Sequence, residues 1–510
     1  MKKYLRQLFE KTDDIFSAGF TPACNPMLFL GTMGWFFYWI VVASGIYLYI
    51  FFDTGVTEAY ESIEYLTNTQ WYAGGVMRSF HRYASDALVI VIFLHMLREY
   101  SLDRFHGPRA FTWIIGVMSL LFIYASGITG YWIVWDKLAQ YIAISTSEWL
   151  DTLPLFGESI ARNFLHDTTL SGRFFTLFVF IHIAAPLILL LFMWMHIQRI
   201  TMPKVMLPRY LATGILLMLL ALSLFYPATS QGPAELDKAV TTVGLDWYYM
   251  FFYPLLDEFP GLYLWIAIFL LVSILLCMPW ITRKKSLSIA KIDLDNCNGC
   301  GRCVSDCPYN AVSLQARTDE LPYTSQAVVN PDLCVSCGIC AGACPTAMPF
   351  RRKSKLVPGI ELPDFSINQL RQYVIDTAEI MQGRDRVFIF SCDHGPVACN
   401  ININNTTTVS LPCVGMLPPS FIDFILSQNI ADGVFLTGCK VGNCYNRFGI
   451  NWTKQRITGE RDPFLRERVS RERISQYWTG SVNRKKLIQK IIRFKEKLAS
   501  LNNEVTGFNN

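Results

Sequence analysis

The sequence predicts an all-α transmembrane bundle of six helices, followed by an α+β domain and then a small α/β domain. Three observations carry that expectation. Of 510 residues, 52% are apolar and 17% charged, against about a quarter charged in soluble chains. The apolar residues gather in long uncharged runs, and 13 of the 15 cysteines follow Thr282. Fully soluble, fibrous and disordered classes are excluded. The net charge of +5 is small, and no basic patch with interleaved aromatics points to nucleic acid.

Met27–Phe52, Ala110–Trp135, Phe174–Gln198, Tyr210–Ala234 and Phe259–Thr282 contain no Asp, Glu, Lys or Arg, and each is long enough to cross about 30 Å of hydrocarbon. A sixth span, from about Gly75 to Leu97, carries Asp86 and two histidines. Cytoplasmic loops hold the excess of Lys and Arg. Lys2, Lys3, Arg6 and Lys11 precede span one; Arg98, Arg104 and Arg109 follow span two; Arg199, Lys204 and Arg209 follow span four; Arg283, Lys284 and Lys285 follow span six. The alternate loops are acidic, with Asp53, Glu58, Glu61 and Glu64 in one and Glu235, Asp237, Asp246, Asp257 and Glu258 in another. The expectation is a multi-pass protein of the cytoplasmic membrane, with both termini and every cysteine motif in the cytoplasm and no cleaved signal peptide.

Span two holds His81 and His95, and span four holds His182 and His196, both pairs 14 residues apart. Fourteen residues are nearly four helical turns, about 21 Å of rise, so each pair shares a helix face with one member near each side of the bilayer. Two such helices facing each other offer two stacked imidazole pairs, the ligand set of two bis-histidine b-type haems. Histidines that merely hydrogen-bond within a bundle are the alternative, but ionisable groups in a span are costly and functional by default. Gly31 and Gly45 in span one, and Gly116 and Gly130 in span three, repeat the 14-residue interval. They would let flat macrocycles approach the backbone, or simply let helices pack closely. Arg78 and Arg98 lie one turn outside His81 and His95, placed to meet a haem propionate or to snorkel to the boundary.

Arg78-Ser-Phe-His81-Arg82, His95-Met-Leu-Arg98, Gly107-Pro-Arg-Ala-Phe-Thr-Trp113, Gly127-Ile-Thr-Gly130-Tyr and the series His182, Pro186, His196 resemble cytochrome b of the respiratory and photosynthetic cytochrome bc complexes, over roughly residues 1–285. The resemblance implies a di-haem four-helix core, a low-potential haem near the outer face on His81 and His182, a higher-potential one near the cytoplasmic face on His95 and His196, and quinone as substrate beside the haems. Where that family has Pro-Glu-Trp-Tyr at its outer quinol site, this chain has Leu245-Asp246-Trp247-Tyr248, which keeps a carboxylate with a shorter reach. The family's Pro-Trp after span three is here Val134-Trp135. Phe29 stands where the photosynthetic type has a cysteine for an extra haem, so that haem is not expected. Cys24 and Cys277 read as plain thiols.

Cys297, Cys300, Cys303 and Cys307-Pro308 repeat as Cys334, Cys337, Cys340 and Cys344-Pro345. This is the two-cluster bacterial ferredoxin spacing, in which the fourth cysteine of each run ligates the other cluster. Cys297, Cys300, Cys303 and Cys344 would hold one 4Fe-4S cluster, and Cys334, Cys337, Cys340 and Cys307 the second. Zinc does not need this eight-cysteine series.

Three strand-like runs end in cysteine: Val387 to Cys392, Val409 to Cys413 and Val434 to Cys439. With a helix at Pro418–Gln428 they make an α/β unit whose strand ends converge, where such sheets bind ligands. Cys392, Cys413 and Cys439, with Cys444 or Cys399, could then surround a small cluster; His394 is a further candidate. Pro412-Cys413-Val-Gly, Ala431-Asp-Gly-Val and Gly438-Cys439-Lys-Val-Gly-Asn-Cys444-Tyr resemble the delta subunit of the methyl-viologen-reducing hydrogenase of methanogens, a 2Fe-2S protein, over about residues 385–480. That family has a cysteine where this chain has Gly395. The tail Asn483–Leu498 reads as an amphipathic surface helix, solvated or facing a partner.

The chain divides as 1–286, the membrane domain; 287–352, the ferredoxin domain; 353–384, a linker; and 385–510, the hydrogenase-delta-like domain with its basic helix. The functional expectation is a quinone/quinol oxidoreductase subunit of a multi-subunit membrane complex, passing electrons between a cytoplasmic partner and the quinone pool, with Asp246, Trp247 and Tyr248 at the outer quinone site. The alternative is a passive conduit and membrane anchor. No nucleotide-binding glycine motif is seen, so the cytoplasmic partner would be a separate flavoprotein, hydrogenase or heterodisulfide-reductase-like subunit. A Rieske or cytochrome c subunit could serve the outer face.

Overall fold

The computed structural model describes residues 2–153, 172–281, 288–319, 321–350, 357–381, 383, 385–396, 401 and 403–507. Cys399, the basic run Arg283, Lys284 and Lys285, and the boundary at 286/287 lie outside them. The chain forms two units: Phe16–Gln198 with Pro203–Arg283, and Met1–Ile15 with Arg199–Met202 and Lys284–Asn510.

In the first unit, Leu30–Phe51, Trp71–Ser101, Gly107–Trp132, Phe175–Gln198 and Gly261–Ile281 are long and apolar enough to cross a membrane. The run expected at Tyr210–Ala234 is helical only over the 17 residues Arg209–Phe225. Pro227 explains the early stop: the residue before a proline is driven out of the helical region, and Tyr226 has φ −136° and ψ 69°. Seventeen residues rise about 25 Å, at the lower limit for a span.

Helix 30–51 packs along helix 76–101, and helix 110–132 along helix 172–198. Helix 110–132 begins on the turn Gly107–Arg109, with Pro108 at a position that needs no N–H. Trp113 Nε1 donates to the Leu275 carbonyl at 2.7 Å, fixing helix 261–281 against it. An amphipathic helix, Lys137–Asp151, is capped by Asp136, whose side chain accepts from Ala139 N at 2.9 Å. Its Trp149 stacks on Trp265 at 4.0 Å between ring centres. Pro186 lies inside helix 172–198, so the His182 carbonyl lacks its usual helical donor.

In the second unit, two two-stranded antiparallel pairs, Lys291–Ile292 with Ile360–Glu361 and Val312–Ala316 with Ser325–Val329, frame the ferredoxin region. Further on, four parallel strands run in the order Thr406–Leu411, Val387–Cys392, Gly433–Gly438, Ile474–Trp478. Strands 387–392 and 433–438 are buried along their whole length, as parallel strands covered on both faces should be. The fourth strand, Ile474–Trp478, escaped the sequence reading. The tail is helical over Arg484–Gly507, and Leu487, Ile491, Phe494 and Leu498 are buried against Val387, Ile389 and Phe435. Their helical spacing makes an apolar stripe that covers one face of the sheet, so the tail is part of this fold and not a solvated helix.

The N-terminal helix, Lys2–Cys24, breaks at Thr21 (φ 63°, ψ 155°) before Pro22. Its first turns belong to this second unit: Asn443 Nδ2 donates to Asp13 at 2.9 Å, Val482 N to Glu10 at 3.2 Å, and Lys440 Nζ meets Asp14 at 2.5 Å. Glu10 and Asp13 are buried. Nothing in the basic N-terminal sequence signalled these partners.

Candidate redox centres

His81 faces His182 with ring centres 6.1 Å apart, and His95 faces His196 at 6.4 Å. Iron between two imidazoles, with bonds of about 2 Å and about 1.1 Å more to each ring centre, would set the rings about 6.2 Å apart. Both pairs fit that span. Nδ1 of His81 lies 3.0 Å from the Val41 carbonyl and 3.2 Å from Ser44 Oγ. Nδ1 of His182 lies 2.8 Å from the Ser126 carbonyl and 3.3 Å from Thr129 Oγ1. A carbonyl only accepts, so Nδ1 carries the proton and Nε2 keeps the lone pair a metal requires.

The glycines explain how the rings reach those carbonyls. Val41 and Ser126 each stand four residues before a predicted glycine, Gly45 and Gly130. His196 bonds the backbone at Thr112, four residues before Gly116. A Cβ at Gly45 would come 3.0 Å from His81 Cε1, one at Gly130 2.8 Å from His182 Cε1, and one at Gly31 3.3 Å from His95 Cε1; at Gly116 it would meet nothing within 4 Å. Three of the four glycines therefore make room for the imidazoles themselves. Arg98 donates to the Met27 carbonyl, four residues before Gly31. Arg78 bonds Thr67 and, at 2.8 Å, Ser230 Oγ, with Glu64 at 3.6 Å.

Asp246 is buried and caps the turn Trp247–Met250, accepting from Tyr248 N at 2.7 Å. Tyr131 OH donates to it, and Arg82 Nη2 lies 2.7 Å from its Oδ2. Arg82 also binds Asp86 at 3.0 Å, and Ser85 and Tyr249 hydroxyls meet at 2.6 Å. Trp247 is 68% exposed and lies over Tyr248, ring centres 4.0 Å apart. The sequence singles out the Asp246 triplet as a candidate, while its partners Arg82 and Tyr131 come from the structure. Asp86 inside a span, one turn from Arg82, was the available signal.

The eight ferredoxin cysteines sort into two cradles. One cavity is lined by Cys307, Cys334, Cys337 and Cys340, the other by Cys297, Cys300, Cys303 and Cys344. Each thus takes its fourth thiol from the other run. Gly301 and Gly338, which open the short helices Arg302–Asp306 and Ile339–Ala343, have φ 74° and 72°, a backbone that glycine adopts without strain. Burial pushes the Cys303 thiol up to about 12, with Cys300, Cys344 and Cys297 adding to it; the same causes raise Cys340, beside Cys337, Cys307 and Cys334. As metal ligands these thiols would bind as thiolates, the metal's charge offsetting what burial costs them.

At the parallel sheet, Cys392 ends strand 387–392, Cys413 follows strand 406–411 and Cys439 follows strand 433–438. The strand order places a topological switch between the two central strands, the usual binding edge of such sheets. Hydrogen bonds from Cys392 and Cys444 hold the Cys439 thiol below its ordinary range, and these two donors are raised. Cys413 also bonds Cys392. Of the candidates for the fourth position, the structure gathers Cys444; Cys399 lies outside the described residues. A Cβ at Gly395 would come 2.9 Å from the Gly438 backbone, leaving no room for a cysteine there. His394 stacks on Tyr445 at 3.4 Å between ring centres. Cys24 and Cys277 are free thiols outside these groups.

Facing histidine pairs within apolar helices, joined to thiol cradles, define a multi-pass membrane cytochrome fused to iron-sulfur domains. Residues 16–203 match Cytochrome b/b6/petB, residues 296–348 the 4Fe-4S dicluster domain, and residues 398–502 the delta subunit of methyl-viologen-reducing hydrogenase. Similar proteins include cytochrome b6 of Porphyra purpurea, 31% identical over 37% of this chain and 87% of that protein. Cytochrome b6 of Gracilaria tenuistipitata var. liui is 30% identical over the same shares, and that of Prochlorothrix hollandica 30% identical over 37% of this chain and 85% of that one. A solved structure titled hyperthermophilic respiratory Complex III matches with 21% identity and a TM-score of 0.42, over 53% of this chain and 80% of that chain. The chain belongs to the cytochrome b/b6 family, with a 4Fe-4S dicluster domain and a hydrogenase-delta-subunit domain in its C-terminal region. Membership implies haem b, and the dicluster domain implies 4Fe-4S clusters.

Proposed function

We propose that this chain passes electrons between a cytoplasmic redox partner and the quinone pool, as the quinone-reacting subunit of a multi-subunit membrane complex. The observation that carries the reading is the pair of histidine couples at two levels of one helix bundle, in the same chain as three thiol cradles. His81 with His182, and His95 with His196, would each hold one haem b; the ferredoxin cradles would hold two 4Fe-4S clusters; Cys392, Cys413, Cys439 and Cys444 would hold a 2Fe-2S cluster. When bound, these groups relay single electrons, while the protein sets their spacing and surroundings.

The residues have separable tasks. The Val41 and Ser126 carbonyls orient His81 and His182, and the glycines admit the rings. Asp246 accepts a quinol proton, Arg82 and Tyr131 hold its carboxylate, and Trp247 and Tyr248 flank the quinone. The loop charges argue for six spans, with Arg209–Phe225 as the short fifth, and for termini and thiol cradles in the cytoplasm. The domain limits 1–286, 287–352 and 385–510 belong to the same reading, as do a separate flavoprotein, hydrogenase or heterodisulfide-reductase-like partner and an outer Rieske or cytochrome c subunit. The test is to mix the purified chain with a soluble quinol and follow haem absorbance. Haem reduction blocked by Asp246→Asn supports the reading; haem indifferent to quinol, yet reducible by dithionite, favours a passive conduit.

A further inference from the structure

Arg456 is almost wholly buried, at 1% exposure, in helix Gly449–Thr458. Its Nη1 donates to the Gly415 carbonyl at 2.8 Å, and its Nη2 to the Asp306 carboxylate and, at 3.4 Å, to the Ile339 carbonyl. Asp306 precedes Cys307, Ile339 precedes Cys340, and Gly415 lies two residues after Cys413. One guanidinium therefore touches chain beside three predicted cluster ligands from two cradles. The backbones meet closely here: a Cβ at Gly342 would come 2.2 Å from the Gly415 carbonyl, and one at Gly338 2.9 Å from Met416 Cβ. Cys337 lies within electrostatic range of Cys413. The first ferredoxin cradle differs, since Cys300 is exposed and the Cys297 carbonyl is held by Arg317 of the same domain at 2.5 Å.

We propose that Arg456 is the positioning residue that clamps the Cys307, Cys334, Cys337 and Cys340 cradle to the C-terminal one, so that electrons pass between the C-terminal centre and this second ferredoxin centre, not the first. The proposal rests on the cluster reading above. The step is a one-electron exchange, one centre oxidised as the other is reduced, with no bond made or broken. A buried arginine needs a counter-charge, which Asp306 supplies here; both Nη atoms are bonded, while Nε has no hydrogen-bond partner. Asp306 pairs with both Arg456 and Arg461, whose Nε lies 2.7 Å away, which leaves net positive charge beside both centres. Lysine would keep the charge but not the planar fork that spans Gly415 and Asp306.

The experiment is electron paramagnetic resonance on the partly reduced full-length protein in detergent, with iron content measured alongside. The C-terminal signal is expected to be broadened by a coupled neighbour. That broadening should survive Cys300→Ser and disappear in Cys334→Ser; the opposite pattern overturns the proposal. Arg456→Gln should weaken the coupling and lower both midpoint potentials, whereas Arg456→Lys should weaken the coupling with potentials near wild type. Full coupling in both Arg456 variants, with clusters intact, removes Arg456 from the role. If Arg456→Gln fails to assemble, the two cysteine variants and Arg456→Lys decide. Absence of any third centre overturns the cluster reading itself; a third centre present but uncoupled to the second overturns only this proposal.

Discussion

Arg82 Nη2 and Asp246 Oδ2 stand 2.7 Å apart, joining the end of the helix that carries His81 to the turn that carries Trp247 and Tyr248. The same guanidinium reaches Asp86 at 3.0 Å. One cation thus holds two carboxylates, and removing it would leave both without their charge partner, the costly way to break such a group. The Tyr131 hydroxyl completes the hold on Asp246. Asp246 is therefore held in place by Arg82, Tyr131 and the Tyr248 backbone.

Asp246→Asn preserves shape and removes basicity. Quinol-driven haem reduction should fall by on the order of a hundredfold, the usual scale of acid-base assistance, while electron flow from the clusters to the haem of His95 and His196 is unchanged. Stopped-flow absorbance in the haem band measures both. A normal quinol rate would remove Asp246 from the mechanism.

His81 and His182 form one couple, His95 and His196 the other. Replacing either member of a couple should abolish one b-type haem and spare its companion. Reduced-minus-oxidised spectra and redox titration check this, and two intact haems after any of the four changes would refute the assignment.

A Cβ at Gly130 would press to 2.8 Å on His182. Gly130→Ala should therefore displace that imidazole and lose the His81–His182 haem alone. Haem stoichiometry by pyridine haemochrome, set against the spectra, gives the answer; full occupancy would mean that the ring has room to shift.

Cys444→Ser should eliminate the C-terminal cluster while both ferredoxin clusters and the haems remain. Cys399→Ser should leave it in place. Iron content and paramagnetic resonance read the outcome, and the reverse pattern would make Cys399 the fourth ligand.

Ile491 is fully buried on the sheet. Ile491→Ala should destabilise the C-terminal domain by about 2–5 kcal/mol, the range for such truncations, with little effect on the haem spectrum. Thermal unfolding followed through cluster bleaching measures it; an unchanged midpoint would mean that the tail helix contributes nothing to that fold.

The sequence by itself determined whatever depends on spacing along one element. A 14-residue interval between histidines put both on one helix face, the doubled cysteine run allotted thiols to two crossed cradles, and β-branched or aromatic runs ending in cysteine located three of the four parallel strands. These patterns are legible because periodicity and ligand spacing are local. Tertiary structure decided the partners: Arg82 for Asp246, Arg456 for Asp306 across 150 residues, Cys444 beside Cys439, and the tail stripe against Val387 and Phe435. It also drew the first turns of the chain onto the second unit through Asp13 and Glu10. Such pairings depend on which buried polar group must be satisfied and which apolar face must be covered once distant elements meet, and no local pattern encodes that meeting.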